Sequence, residues 1–361
     1  MHPITISSPK FYTVLTDHSP LPLPLFLPLL LLLVVLLALA LALLLALQPQ
    51  GGEYFYYKES SGGFVKSSND ITKGNDAIGT TLKSIYDSNN EDNESYGMWN
   101  DQPTKEKAAS ASYAHSKGVI HFDEDQGYYL IHSMPAFPSA QEFGYQYLSS
   151  ETYGQTFMCM TMKSDQFEEL GKDLMVMHPY FYDFHIPEDI EKIAPSVADA
   201  MNHVEDKETM TRSTVLETID GRSLTHFSRS RYWGHGLYEE LVADALDSDV
   251  ATDTWQNGAK KNVMPTYCGG DANHTHTIAN VVSVEFGTDE WTSTKDHAKW
   301  AITTDGFEVK KDKDSAWGCI GGVNRQFSQA KRGGATMCYK DSEFNAALFN
   351  SVTEFEPCED A

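Results

Sequence analysis

The chain has 361 residues, enough for a large core and for two domains. It carries 51 acidic residues against 27 Lys and Arg, a net charge of -24 at pH 7, which excludes a protein that gathers nucleic acid by bulk attraction at neutral pH. Acid weakens that exclusion, because the 13 histidines, with an ordinary pKa near ~6.5, are mostly charged at about pH 5.

In chain order, residues 1–50 read as targeting sequence. Leu21–Leu47 is an almost unbroken Leu/Ala/Val/Pro tract, free of Pro from Leu29 onward. Two readings stay open: a cleaved signal peptide, with small-residue cleavage options near Ala38-Leu-Ala40 or Ala40-Leu-Ala42, or an uncleaved membrane anchor, since about 17–25 apolar residues span a bilayer. Either sends the remainder into the secretory lumen. Glu53–Lys58 is aromatic-rich, as a strand is, and Ser60–Gly63 is a turn. Ala77–Tyr86 fits a strand or a short helix. Tyr96–Asn100 is a short strand ending at Asp101-Gln-Pro103, and Thr104–Ser112 is a polar link.

The segment Tyr113–Pro138 holds His115 and Lys117, a strand around Val119 and Ile120, a turn at Asp123–Gly127, a return strand Tyr128–Ile131, and then His132 and Ser133. Side chains two apart on a strand share a face, so His115 and Lys117 are expected to point the same way. Tyr153–Met160 reads as a buried strand. Ser164 and Asp165 are expected to cap a helix with Phe167, Leu170 and Leu174 on one face. Pro187 opens another helix with Ile190, Ile193 and Val197 inward. Ser213–Ser230 is a hairpin around Asp220-Gly221, and Leu237–Leu246 is an amphipathic helix.

Thr277–Phe286 is a strand leading into a second unit of the first plan. It holds His297 and Lys299, a strand Ala301–Thr304, a turn at Asp305-Gly306, a charged strand, and Cys319–Asn324. Glu343–Thr353 is a closing helix. Strands and helices mix throughout, which predicts a mixed α/β (α+β) fold. Two His-x-Lys units imply two half-sites and two similar lobes, 51–205 and 206–361, meeting between Asp206 and Ser213.

Each signal has a plainer account. A single His-x-Lys is usually a solvated strand edge; the matched pair is what argues for a site. His132 also fits a core histidine, and Asn324 a turn residue. His274 and His276 suggest zinc only until a third ligand is sought at a motif spacing. Arg229, Arg231, Lys260 and Lys261 suit DNA phosphates or a solvated face. Tyr54, Tyr56 and Tyr57 are expected to pack within a strand. The cysteines are 159, 268, 319, 338 and 358; their odd number leaves one unpaired, and no CxxC is present. Sequons stand at Asn93-Glu-Ser95 and Asn273-His-Thr275.

Taken jointly, Lys58-Glu-Ser-Ser-Gly-Gly63, Trp99-Asn-Asp-Gln-Pro103, His115-Ser-Lys-Gly118, Leu130-Ile-His-Ser-Met-Pro-Ala-Phe-Pro138, Tyr153-Gly-Gln-Thr156, Asp296-His-Ala-Lys-Trp300, Asn324-Arg325 and Arg332-Gly-Gly334 resemble the deoxyribonuclease II family, the acid endonucleases of lysosomes. The resemblance covers about residues 53 to 358 and implies two phospholipase D-like lobes, each a mixed sheet flanked by helices, related by a pseudo-two-fold axis. It implies a shared site of His115, Lys117, His297 and Lys299, with His132 needed for activity and Asn324 helping to hold phosphate. It implies no metal and no cofactor, a DNA substrate, 3′-phosphate products, a lysosomal or secreted chain, and a monomer or homodimer. By analogy Cys268 pairs with Cys358 and Cys319 with Cys338. The chain departs from the family in two places. The usual first strand, rich in Trp, Val and Tyr and preceded by the cysteine that pairs with Cys159, is replaced by the apolar tract. Val309–Ser315 is an insertion expected to lengthen a hairpin loop.

The chemistry fits those residues. A neutral imidazole attacks phosphorus to give a phosphohistidine, and a protonated one donates to the departing 5′-oxygen. The lysines neutralise the non-bridging oxygens and lower the pKa of both imidazoles. The working assignment takes His297 as nucleophile and His115 as acid and base. Two alternatives are a catalytically inactive secreted relative that binds nucleic acid and a phosphodiesterase acting on lipid.

Overall fold

The computed structural model describes residues 52–89, 93–104, 107–147, 153–270 and 275–358. Leu21–Leu47, Asn273 and His274 lie outside them. Among the described residues no helix is long and apolar enough to cross a membrane.

A short hairpin, β1 (Phe55–Lys58) and β2 (Gly63–Lys66), comes first. Helix α1 (Ala77–Asp87) follows, its first turn capped by Asp76, whose Oδ1 accepts from the N–H groups of Ile78 and Gly79. Next come β3 (Glu94–Asn100), β4 (Lys117–Asp123), β5 (Gln126–His132), β6 (Phe157–Lys163), α2 (Gln166–Met177) and β7 (Phe181–His185). Two short helices, α3 (Glu188–Glu191) and α4 (Pro195–Met201), precede the hairpin β8 (Thr211–Glu217) and β9 (Ser223–Arg229). A π-turn at Tyr238–Val242 runs into α5 (Ala243–Leu246). The chain closes with β10 (Asp249–Thr254), β11 (Ile278–Phe286), β12 (Asp289–Thr292), β13 (Lys299–Asp305), β14 (Glu308–Val309), β15 (Trp317–Gly321), β16 (Gly334–Lys340), α6 (Ser342–Phe349) and β17 (Val352–Phe355).

The smaller sheet has the order β6-β5-β4-β3-β7 and is antiparallel throughout rather than mixed. The larger runs β12-β11-β10-β13-β15-β16-β9-β8, with β10 and β11 parallel. The order β6-β5-β4-β3 in one matches β16-β15-β13-β10 in the other. A helix precedes β3 and β10, and another follows β6 and β16. The strands carrying Lys117 and Lys299, β4 and β13, hold equivalent places.

Period-two alternation divides the core. Trp99, Ile120, Tyr129 and Ile131 of the small sheet join Trp300, Ile302, Ile320 and Met337 of the large one in a single cluster, with Phe167, Leu170 and Leu174 of α2. Their strand neighbours Met98, Val119 and Leu130 pack on Ile78, Leu82 and Ile85 of α1. Ala301 and Cys319 turn the opposite way, onto Tyr238, Val242 and Ala243. The bridges Cys268–Cys358 and Cys319–Cys338 are formed, while Cys159 is free and buried.

Several local expectations are corrected. His115 and His297 precede their strands instead of lying on them, because their backbone N–H groups bond outside the ladders. The strand expected from Tyr153 begins at Phe157. Asp165 does not cap α2, and the Ser164 hydroxyl donates to the Asp123 carbonyl instead. The helix after Pro187 breaks in two at Pro195. The charged strand after Gly306 shrinks to Glu308–Val309, and the inserted residues form a loop with a single 3-10 turn at Lys313–Ser315. Glu343–Thr353 ends as a helix at Phe349, and Val352 starts a strand.

Gly118 lies opposite Trp99 in the β3–β4 register, and a Cβ there would sit 2.3 Å from Trp99 Cζ2. Gly118→Ala therefore overpacks the inner layer and is expected to cost about 1–3 kcal/mol, read as a lower urea midpoint. A wild-type midpoint would refute this packing.

Candidate active site

The two His-x-Lys units meet where the sheets face each other, and each histidine is held by the other half of the chain. The His115 backbone N–H donates to the Gly333 carbonyl at 2.9 Å, and its Nδ1 donates to the Gly322 carbonyl at 2.6 Å. The His297 backbone N–H donates to the Gly154 carbonyl at 2.8 Å, and its Nδ1 donates to Gln155 Oε1 at 3.2 Å. Both rings thus carry their hydrogen on Nδ1 and keep Nε2 available. Glycine is required at two of these contacts. A Cβ on Gly154 would lie 2.5 Å from an Asp296 oxygen, and one on Gly333 would lie 2.0 Å from the Met177 carbonyl.

The supporting residues are layered. Gln155 Oε1 also accepts from the Ser133 hydroxyl at 2.6 Å, and Ser133 Oγ accepts from the Thr156 N–H. The Lys117 ammonium donates to Asp101 Oδ1 at 2.5 Å. The other Asp101 oxygen takes a bond from Arg332 at 3.2 Å and lies 3.9 Å from His115 Nε2. Arg332 also donates to the carbonyls of Tyr113 and Ala114, tying down the approach to His115. Lys299 Nζ donates to the His297 carbonyl. Trp255 stands edge-to-face with the His297 ring at 4.7 Å, and Tyr153 tilts against Trp255 at 5.5 Å.

His132 pairs with Lys117 across β4 and β5. Its ring stacks on Phe157, its Nδ1 accepts from the Met134 N–H, and its Nε2 has no partner. Asn324, two residues beyond Gly322, is buried with no donor on Oδ1.

Burial, the largest influence, pushes the imidazoles toward neutrality. His115 falls to about 3, with Asp101 opposing and Lys117, Arg332 and Lys299 adding to the fall. His297 is held well below the ordinary range by burial, then by Lys299, Lys117 and His115, and His132 by burial and then Lys117. Burial opposes ionisation of Asp101, but Lys117, His115 and Arg332 overcome it and keep the carboxyl strongly acidic. These mutual influences place both histidines and both lysines in one electrostatic neighbourhood.

The deoxyribonuclease II profile matches residues 45–358. The chain belongs to the deoxyribonuclease II family. It is 34% identical to plancitoxin-1 of Acanthaster planci, over 81% of this chain and 79% of that one. It is 30% identical to deoxyribonuclease-2 of Caenorhabditis elegans, over 81% of each chain. It is 29% identical to deoxyribonuclease-2-alpha of Rattus norvegicus, over 84% of this chain and 85% of that one. It is thus a deoxyribonuclease II-like nuclease, a hydrolase.

Other residues of this deoxyribonuclease II relative fall outside the site. Arg229 is buried and donates to the carbonyls of His235 and Gln329, and Arg231 pairs with Glu205 at 2.7 Å. Arg325 is buried on Glu239, Asn280 and the Pro265 carbonyl. Lys260 and Lys261 are exposed. His276 lies 3.5 Å from Asp247, and among the described residues no His, Cys, Asp and Glu group is arranged to hold a metal ion. Tyr57 is buried on β1, and Tyr54 is buried just ahead of it. Asn93 is exposed. Sequence reasoning passed over Asp101, Gln155, Trp255, Asp253 and Asp296. Three of them stand inside motifs quoted for other residues; Trp255 and Asp253 carried no local signal.

Gln155→Leu removes the acceptor that orients His297 at similar volume. It is expected to lower DNA cleavage about tenfold or more through the unpaired Nδ1–H, with KM little changed; full activity would refute the orienting bond. The buried imidazoles also predict a stability slope. Their folded pKa lies below the unfolded value near ~6.5, so stability present above that pH declines as pH falls below it. Thermal melting of wild type against His132→Asn should show a shallower decline in the variant, and parallel curves would refute it.

Proposed function

We propose that this nuclease is an acid endonuclease that cuts DNA phosphodiesters without a metal and leaves 3′-phosphate ends through a phosphohistidine. The observation that supports this reading best is the reciprocal grip on His115 and His297, which leaves both Nε2 atoms available beside two lysines.

His297 is the nucleophile. Among the described residues no carboxylate is bonded to its ring, and burial with two nearby ammonium groups keeps it neutral. Its Nε2 lone pair forms the bond to phosphorus as the P–O5′ bond breaks. His115, whose Nε2 lies 3.9 Å from Asp101, is the imidazole better able to carry a charge, and it gives its proton to the departing 5′-oxygen. Water then attacks the phosphohistidine, His115 takes back a proton, and the 3′-phosphate leaves. Lys117 and Lys299 hold the non-bridging oxygens. His132 Nε2–H and the Asn324 amide complete the phosphate cradle. The need for acid follows from burial. His115 in the free chain is neutral, and bound phosphate together with a lower pH is needed to charge it.

The matching strand orders support two phospholipase D-like lobes, 51–205 and 206–361, about a pseudo-two-fold axis. Residues 1–50 lead the chain into the secretory pathway, toward the lysosome or the exterior, with Asn93 a candidate glycan site.

The test is plasmid nicking at about pH 5 in EDTA by the wild type and His297→Ala. Metal-free nicking lost in the variant, with 3′-phosphate ends and label trapped on His297, is the expected result. Adduct on His115 would reverse the assignment, and nicking that EDTA abolishes would overturn the mechanism.

A further inference from the structure

Two carboxyls unused by this reaction lie beneath the second half-site. Asp253, on β10, and Asp296, just before His297, are both fully buried. In the β10–β13 register Asp253 pairs with Trp300 and Thr254 with Lys299. Asp296 accepts two hydrogen bonds, from the Ala298 N–H at 2.8 Å and from Trp291 Nε1 at 2.7 Å. The first of these shapes the turn that carries His297. Asp253 has no such bond in place: among the described residues neither of its oxygens takes a well-formed hydrogen bond, and its one adjacent donor is the indole N–H of its register partner Trp300.

The Asp253 carboxyl lies against that of Asp296. Two carboxylates only accept, so they cannot bond one another, and two buried like charges repel. One proton removes both problems. The donors decide where it resides: burial raises both carboxyls, but Asp296, with two N–H groups bonded to it, is the better anion, and Asp253, with only the poorly placed Trp300 indole beside it, is the acid. Burial and then Asp296 hold the Asp253 carboxyl well above its ordinary range, in the same direction.

Lys299 needs that charge. It is fully buried, and its ammonium bonds to a carbonyl, whereas Lys117 has the Asp101 carboxylate. The charged and titratable groups facing Lys299 are Lys117 from β4, Asp101 after β3, His115 and His297 ahead of the two strands, Asp296, and Asp253 from β10. Burial and then Lys117 pull its pKa down, and Asp296 leads the carboxyls that oppose them.

We propose that Asp253 and Asp296 form one unit holding a single proton, with the proton on Asp253 and the charge on Asp296, and that this charge keeps Lys299 cationic beneath the substrate phosphate. The proposal rests on the reading of Lys299 as a phosphate-binding group. Both carboxyls are positioning residues and neither touches DNA.

Substitutions separate the proton from the charge. Asp253→Asn supplies an N–H to Asp296 and keeps the anion; Asp296→Asn removes the anion and keeps one acceptor, for the Ala298 N–H, while its amide NH2 gives up the Trp291 bond. Removing a nearby negative charge lowers the Lys299 pKa, so the cation is lost at lower pH. Because His115 sets the alkaline loss of kcat, Lys299 is read from KM: the pH at which KM for DNA rises is expected to move down by about one unit in Asp296→Asn and to stay close to wild type in Asp253→Asn. Equal shifts in both variants, or none in either, would overturn the proposal. A second readout needs no turnover. The infrared spectrum of the wild-type chain at neutral pH should contain a protonated-carboxyl C=O band that Asp253→Asn removes; lack of such a band overturns the shared proton even where a variant fails to fold. Lys299→Ala distinguishes the two levels: if it still nicks DNA, the phosphate-binding reading fails while the infrared band reports on the pair alone.

Discussion

Reciprocity organises this molecule. Each site histidine is fixed by polar groups from the half of the chain to which it does not belong. His115 is held by the carbonyls of Gly322 and Gly333, and His297 by Gly154 and Gln155. A backbone carbonyl is a strong acceptor that cannot rotate away, so the ring tautomer follows from the docking of the two sheets. The tight approach also explains why glycines line the seam, where any side chain would meet an Asp296 oxygen or the Met177 carbonyl.

Bringing four basic groups into one buried place creates an electrostatic problem, and the two halves solve it differently. The first supplies a direct ion pair, Lys117 with Asp101, braced by Arg332 from the second half. The second supplies no direct pair to Lys299 and sets a buried pair of carboxyls nearby instead. That asymmetry underlies the division of labour proposed for the imidazoles, since a carboxylate faces His115 Nε2 while the His297 ring meets an amide and an indole. A symmetric fold can support two chemical roles when its counter-charges are placed unequally.

The chain's acidity is reconciled with an anionic substrate by locality. A net charge of -24 describes the whole surface, whereas the phosphate would meet Lys117 and Lys299 in a dry setting where nearby charges count for more than distant ones.

The sequence by itself determined much of the secondary structure and pointed to the candidate site residues. Alternating apolar residues in β4, β5 and β13 place neighbours on opposite sheet faces whatever surrounds them, and the repeated His-x-Lys pointed to two segments that the fold brings together. It also determined the bulk charge and the family. It was silent on β10, because the polar Thr252, Asp253 and Thr254 carry no apolar alternation, yet they are buried between two neighbouring strands whose ladders satisfy their backbones. It misplaced His115 and His297 on strands, because their N–H groups bond to residues remote in the chain. The partners of Asp101, Gln155 and Asp253 were set only by tertiary structure. A carboxyl or amide acquires its pKa and its partner from burial and from groups within a few ångströms, and those neighbours come from distant stretches that only folding brings together.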